Sequence, residues 1–137
     1  MEIRQHNRSF CSFKVENVSV SAFYLTGIVG YSLAEYSDLA AEKVSVSYTG
    51  DGNYADNTVE LAALENGTLT FTITDDDNTY ENYSFLLGKA DGMYKLADGK
   101  TASIDTVDLD SGSHLIVAVA VKDNIAYTRS FVITIKR

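Results

Sequence analysis

Residues 115–136 read LIVAVAVKDNIAYTRSFVITIK, and this stretch decides the fold. In its second half Ile125, Tyr127, Phe131, Ile133 and Ile135 recur at alternate positions, with Arg129 the one polar interruption, so they share one face of an extended chain. Thr128, Ser130, Thr134 and Lys136 share the other face, where the apolar Val132 points to partial cover. In the first half Leu115, Val117, Val119 and Val121 face one way and Ile116, Ala118 and Ala120 the other. A run that is apolar on both faces is expected as a central strand covered on both sides. Lys122-Asp123-Asn124 reads as the turn between the two, because Asp and Asn tolerate the left-handed conformation.

The same period of two extends outward. Val44, Val46 and Tyr48 alternate with Ser45, Ser47 and Thr49, and Tyr83, Phe85 and Leu87 make a further strand. Asn66-Gly67 fits a primed turn. It is expected to join Thr58 to Leu64 (Val59, Leu61 and Ala63 inward) with Thr68 to Thr74 (Leu69, Phe71 and Ile73 inward) in a second hairpin. Near the start, Phe13 and Val15 alternate on odd numbers, then Val18, Val20 and Ala22 on even ones, so a bulge or break is required at Glu16-Asn17. Another strand is expected around Ser103 to Leu109. One helix is expected over Leu33 to Glu42, with Ser32 as N-cap, Glu35 completing a capping box, and Leu33, Tyr36, Leu39 and Ala40 as the apolar stripe. Turn clusters fall at residues 50–53, 75–78, 88–92, 98–99 and 111–112. About eight short strands with one short helix predict an all-β sandwich or barrel. Residues 1–9, carrying Arg4 and Arg8, read as a polar N-terminal arm, and residues 10–137 as the β-sandwich domain.

Composition bounds the rest. The 137 residues allow one domain, large enough to bury a core without metal or disulfide staples. Cys11 is the single cysteine, so no disulfide can form within the chain. With 11 basic and 19 acidic side chains the net charge is −8, which argues against nucleic-acid binding. Residues 51–110 hold 13 acids and three bases, a local charge of −10, so the flanks together are +2. These acids read either as solvated loops or as an acidic face for cations or a basic partner. The most apolar window, Val18 to Ala34, is broken by Ser19, Ser21, Thr26, Gly27, Gly30 and Ser32, so no membrane insertion is expected. No compact apolar leader stands near the start. The chain is therefore expected either as a complete protein acting without Sec export or as a piece of a secreted one.

No reactive constellation stands out, and an enzyme is not expected. Only His6 and His114 are present, and a Ser-His-Asp arrangement around His114 is recognised by geometry, not by abundance of Ser and Asp. His114 reads as a strand-edge residue. Zinc lacks sufficient Cys and His ligands. Calcium takes carboxylate and carbonyl oxygens, which makes Asp75, Asp76 and Asp77 with Asn78, and the stretch Asp105 to Asp110, candidates, but neither has the spacing of an EF-hand loop and a solvated acidic turn is the expected reading. No cofactor is expected. Tyr54, Tyr80 and Tyr94 lie among Asp, Asn and Gly, the composition of adaptable binding loops. With Arg4 and Arg8 they are the expected partner-binding residues.

Tyr48-Thr-Gly-Asp-Gly-Asn-Tyr54 and the run Glu65-Asn-Gly-Thr-Leu-Thr-Phe-Thr-Ile-Thr74 resemble segments of bacterial and phage immunoglobulin-like β-sandwich modules. The resemblance spans about Phe10 to Arg137 and lacks the Cys…Trp…Cys core of antibody domains. It implies an immunoglobulin-like sandwich. A narrower similarity is to haem-binding NEAT domains, whose ligand belongs to a Tyr-x-x-x-Tyr pair near the last strand; here the match is Tyr127-Thr-Arg-Ser-Phe131, with Phe replacing the second Tyr. The function expected is a non-enzymatic structural or binding module. The first setting is a virion, as a small phage capsid decoration or accessory protein, with a viral shell or self-assembly as the protein partner. The alternative is an extracellular adhesion or ligand-binding domain at a bacterial cell surface.

Overall fold

The computed structural model describes residues 35–137 throughout, with the strand backbones of residues 2–3, 12–15 and 18–21 and the single residue Val29. In chain order the strands are β1 (Glu2–Ile3), β2 (Ser12–Val15), β3 (Val18–Ser21), β4 (Glu35–Asp38), β5 (Val44–Gly50), β6 (Asn53–Ala55), β7 (Thr58–Glu60), β8 (Gly67–Ile73), β9 (Asn82–Lys89), β10 (Gly92–Asp98), β11 (Thr101–Asp105), β12 (Gly112–Lys122) and β13 (Ile125–Lys136). Single 3₁₀ turns cover Ala41–Lys43 and Thr106–Asp108.

The fold is an all-β sandwich. One sheet runs β10-β9-β12-β13-β7-β6, with β4 also on β13; the facing sheet runs β11-β8-β5. The hairpin of β12 and β13 is in register from Lys122↔Ile125 to Gly112↔Ile135. Its two-residue turn has Asp123 and Asn124 both at positive φ (52° and 65°), the primed geometry whose twist matches the strands. β12 is central, between β9 and β13, and Leu115 to Val121 are buried on both faces, as the sequence predicts. Between the sheets, Phe85, Ile116, Ala118, Ile133 and Ile135 meet Leu69, Phe71, Ile73 and Ala102. Each large side chain buried there contributes about 1.5–3 kcal/mol. The opposite face of the large sheet buries Leu86, Val117, Val119 and Val121 with Met93, Tyr36 and Val29, and Val132 packs on that side.

The small sheet shows its alternation most plainly. Register places Ser45, Thr72 and Thr101 in one row, Ser47, Thr70 and Ser103 in the next, and Thr49, Thr68 and Asp105 in the third. These polar residues tile its outer face, and Thr68 donates to Asp105 Oδ1 at 2.7 Å.

Four expectations are corrected. The hairpin placed at Asn66-Gly67 does not form: β8 pairs with β5 and β11, while β7 pairs with β6 and, in parallel, with β13. Neither Asn66 nor Gly67 has a positive φ. Gly67 is required for close approach, since a Cβ there would collide with the Tyr48 ring. The helix over Leu33 to Glu42 is replaced by β4, which pairs in parallel with Ile125 to Thr128, and by the 3₁₀ turn Ala41–Lys43. Tyr36 and Leu39 are fully buried, but by edge pairing on β13 rather than by a helical stripe. Ser32, Leu33 and Ala34 lie outside the described residues, so the correction concerns residues 35–42. The strand expected at Ser103 to Leu109 begins at Thr101 and ends at Asp105, where the second 3₁₀ turn starts. The turn cluster at residues 88–92 contracts to Ala90-Asp91, because Gly88 and Lys89 still pair in β9. At the N-terminus, β2 and β3 pair antiparallel through Val15↔Val18, so the parity switch is a chain reversal; Glu16 and Asn17 themselves lie outside the described residues. Glu2–Ile3, within the expected arm, pairs with β2.

Candidate functional site

An open cleft of about 600 Å³ lies beside the β9–β10 hairpin, the segment after the second 3₁₀ turn and the start of β12. Its apolar lining is Leu87, Met93, Leu109, Leu115 and Val132; its polar lining is Lys89, Asp108, Asp110, Ser113 and His114. Gly88 keeps the middle open, since a Cβ there would stand 3.1 Å from Leu115 Cβ and 3.4 Å from Met93 Sδ. The Nε2–H of His114 donates to the Asp110 carbonyl oxygen at 2.7 Å. Ser113 and His114 are consecutive on β12 and so point to opposite faces, which prevents a nucleophile–base pair between them. What the cleft offers chemically is apolar contact bordered by both signs of charge, the lining suited to a protruding amphipathic side chain.

The three expected partner-binding tyrosines do not share a surface. Tyr54 lies on β6, one edge of the large sheet; its hydroxyl donates to Asn57 Oδ1 at 3.0 Å and its ring packs 5.7 Å from that of Tyr48. Tyr94 lies on β10, the opposite edge, exposed, donating to Asp91 Oδ2 at 2.7 Å with Lys89 Nζ 5.2 Å from its ring centre. Tyr80 stands just before β9, at the far end of that strand from Tyr94, with its ring edge-on to Tyr127 at 5.1 Å. Burial raises the Tyr54 and Tyr80 hydroxyls above the ordinary tyrosine value. Arg4, Arg8, His6 and Cys11 lie outside the described residues.

The acidic turn resolves into two roles. Asp75 is 2% exposed, and its Oδ2 accepts from the Tyr80 amide at 3.2 Å and from the Tyr83 hydroxyl. Asp76 and Asp77 are exposed. Lys100 Nζ donates to the Asp75 carbonyl at 3.0 Å and to Asn78 Oδ1 at 2.9 Å. The cluster thus ties the β8–β9 crossover to the β10–β11 corner, two of the places where the chain changes sheets. Among the described residues no three His, Cys, Asp or Glu side chains converge to hold a metal. The Tyr127–Phe131 pair packs against the inter-sheet core, with the Phe131 ring 5.6 Å from that of Phe71 and the Tyr127 ring 5.1 Å from that of Tyr80.

Sequence reading missed the cleft because it missed β10. The bulge between Lys95 and Ala97 shifts the parity of that strand, so Met93 packs in one core while the adjacent Leu96 and Ala97 both pack against the other, and no simple alternation marks the strand. The one usable signal was Ala90-Asp91, a two-residue spacing between Lys89 and Gly92.

No protein-family model matches the chain, and no curated protein matches it. Among solved structures, an endo-beta-1,4-mannanase from Thermotoga petrophila aligns with 66% of this chain and 20% of its own, at 15% identity and a TM-score of 0.36. The chain therefore spans about a fifth of that protein, and a likeness at this level carries no argument about function. Among the described residues no helix is long and apolar enough to cross a membrane.

Proposed function

We propose that this chain is a non-enzymatic structural or binding module that seats a protein partner in the cleft beside β9, β10 and β12. Its proposed setting is a virion, as a small capsid decoration or accessory subunit. The observation that carries the reading is the cleft itself: strand-borne apolar residues form one part of the lining, and Lys89, Asp108, Asp110 and His114 the other. Interfaces of modest size combine an apolar centre with a polar rim in this way. The charge of −8 supports a protein rather than a nucleic-acid partner.

The test is fractionation of the producing culture with an antibody against the chain, for the wild type and for Ala90→Trp. Ala90 is exposed in the hairpin turn at the cleft, so tryptophan there overhangs the opening while leaving the core alone. The wild type is expected in banded particles, and Ala90→Trp is expected to be lost from them with its melting temperature unchanged. Recovery in the cell-wall fraction would replace the virion by the bacterial-surface setting. Recovery in neither fraction would end the module reading.

A further inference from the structure

We infer that the loop end of the sandwich carrying Leu64 and Val107 is a preformed docking tip for a basic polypeptide surface with an apolar hollow. This rests on the binding-module reading and names the partner's chemistry. Three large hydrophobic residues are exposed among the described residues, and Leu64 (97%) and Val107 (65%) are two of them. They belong to different loops, joined through one side chain. Arg137 donates from Nη1 to the Glu65 carbonyl and from Nη2 to the Thr106 carbonyl, each at 3.0 Å. The residues following Leu64 and preceding Val107 are thus held within the span of one guanidinium. The Thr106 hydroxyl also accepts from the Gly67 amide at 2.8 Å.

The turn that carries Leu64 is closed by its own hydrogen bonds. Leu64 sits at φ +71° in the turn Ala62–Glu65, where the Glu65 amide donates to the Ala62 carbonyl at 3.1 Å and the Ala62 amide to Glu65 Oε1 at 2.7 Å. A leucine held in the left-handed region with its side chain in water gains nothing from the fold, and strain of that kind collects at binding sites. Ordering costs at the interface are correspondingly small.

Charge selects the partner. Glu65 and Asp51 flank the Leu64 loop, where Asp51 Oδ2 accepts from the Asn66 amide at 3.1 Å, and Asp105 and Asp108 flank Val107. Four carboxylates thus flank the two aliphatic prongs, and the Arg137 guanidinium is engaged with carbonyls. A second copy would bring the same acids, and an anionic membrane would repel them, whereas lysine and arginine around an apolar hollow complement the tip.

The experiment uses the full chain and three designed peptides of equal length: Lys/Leu, Glu/Leu and Lys/Ser. Binding is expected for Lys/Leu alone, weakening as salt is raised. Leu64→Gly removes the prong and suits the positive φ, so it is expected to fold at least as well as the wild type while losing about tenfold or more in affinity. Val107→Ser should lose affinity likewise. Equal binding of Lys/Ser, binding of Glu/Leu, no binding at all, or unchanged affinity in both variants would each overturn the tip. Wild type and Leu64→Gly are then compared in the particle fraction. Equal recovery of both there overturns the tip while the module reading stands; absence of the wild type from particles and wall ends the module reading independently of the peptides.

Discussion

Burial pushes the Asp75 carboxyl up, but donors from Tyr83, Thr79 and Tyr80 outweigh it and hold the group at about 2, against 3.8 in the unfolded chain. Because the folded value is the lower one, the contribution to stability is present above about pH 4 and lost as the pH falls through about 2; it amounts to about 2 kcal/mol. The same hydrogen bond acts at the other end of the scale. Burial first, and then the bond to Asp75, raise Tyr83 from 10.0 to about 12. Stability from Tyr83 is therefore complete below pH 10 and lost as the pH rises through 12. Tyr83→Phe is expected to cost about 1–3 kcal/mol at neutral pH and to move the acid unfolding midpoint upward; an acid limb that does not move would refute this role. A second residue-scale expectation concerns Leu64. Relieving its left-handed backbone returns about 1–2 kcal/mol, less the extra flexibility of glycine, so Leu64→Gly should stabilise the fold by a few tenths to about 1 kcal/mol, read by urea denaturation. Four successive polar residues at 75–78 could be read as a turn from sequence, but not that the first of them points inward, because that depends on Tyr83 arriving from the next strand.

Turn chemistry explains which elements could be read in advance. Asp123-Asn124 and Asp56-Asn57 are the same dipeptide, and both adopt positive φ in two-residue turns, closing the β12–β13 and β6–β7 hairpins. The first was recognisable because long alternating runs flank it; the second was not, because β6 and β7 have three residues each. Asn66-Gly67 carried the stronger local signal, yet its glycine answers the Tyr48 ring and not a turn. Asn124→Val, a β-branched residue forced into the left-handed region, should destabilise the hairpin by about 1–2 kcal/mol in thermal melts. Gly67→Ala should displace Tyr48 and with it the hydroxyl that donates to the Asp51 carbonyl at 2.5 Å, an effect visible as altered tyrosine fluorescence. The helix expected at residues 33–42 failed for a related reason. Tyr36 and Leu39 fit a helical stripe in sequence, but the exposed edge of β13 supplied backbone partners for an extended chain, and Arg129 completes that edge by donating Nε–H to the Leu39 carbonyl at 2.9 Å.

The two-sided burial of β12 was readable at the scale of the whole molecule, since a strand apolar on both faces can only be central. The charge distribution has a consequence on the same scale. Residues 51–110 carry −10, and the described ion pair within them, Lys95 with Asp98 at 2.9 Å, is partly exposed and contributes little. Asp75 Oδ2 accepts hydrogen bonds from the Tyr80 amide and the Tyr83 hydroxyl, while the Asp51 and Asp105 carboxylates, at one end of the sandwich, accept from neutral donors, the Asn66 amide and the Thr68 hydroxyl. Folding gathers these like charges closer than the unfolded chain holds them, so self-repulsion opposes the compact state. Screening shortens the reach of that repulsion from about 10 Å at 0.1 M salt to about 3 Å at 1 M. Sodium chloride is therefore expected to raise the melting temperature by about 2–4 °C over that range, equivalent to roughly 1 kcal/mol for a domain of this size. A melting temperature that falls with salt at neutral pH would mean that attractive pairs outweigh the acidic excess, and would remove the electrostatic basis for a basic partner at the Leu64–Val107 end.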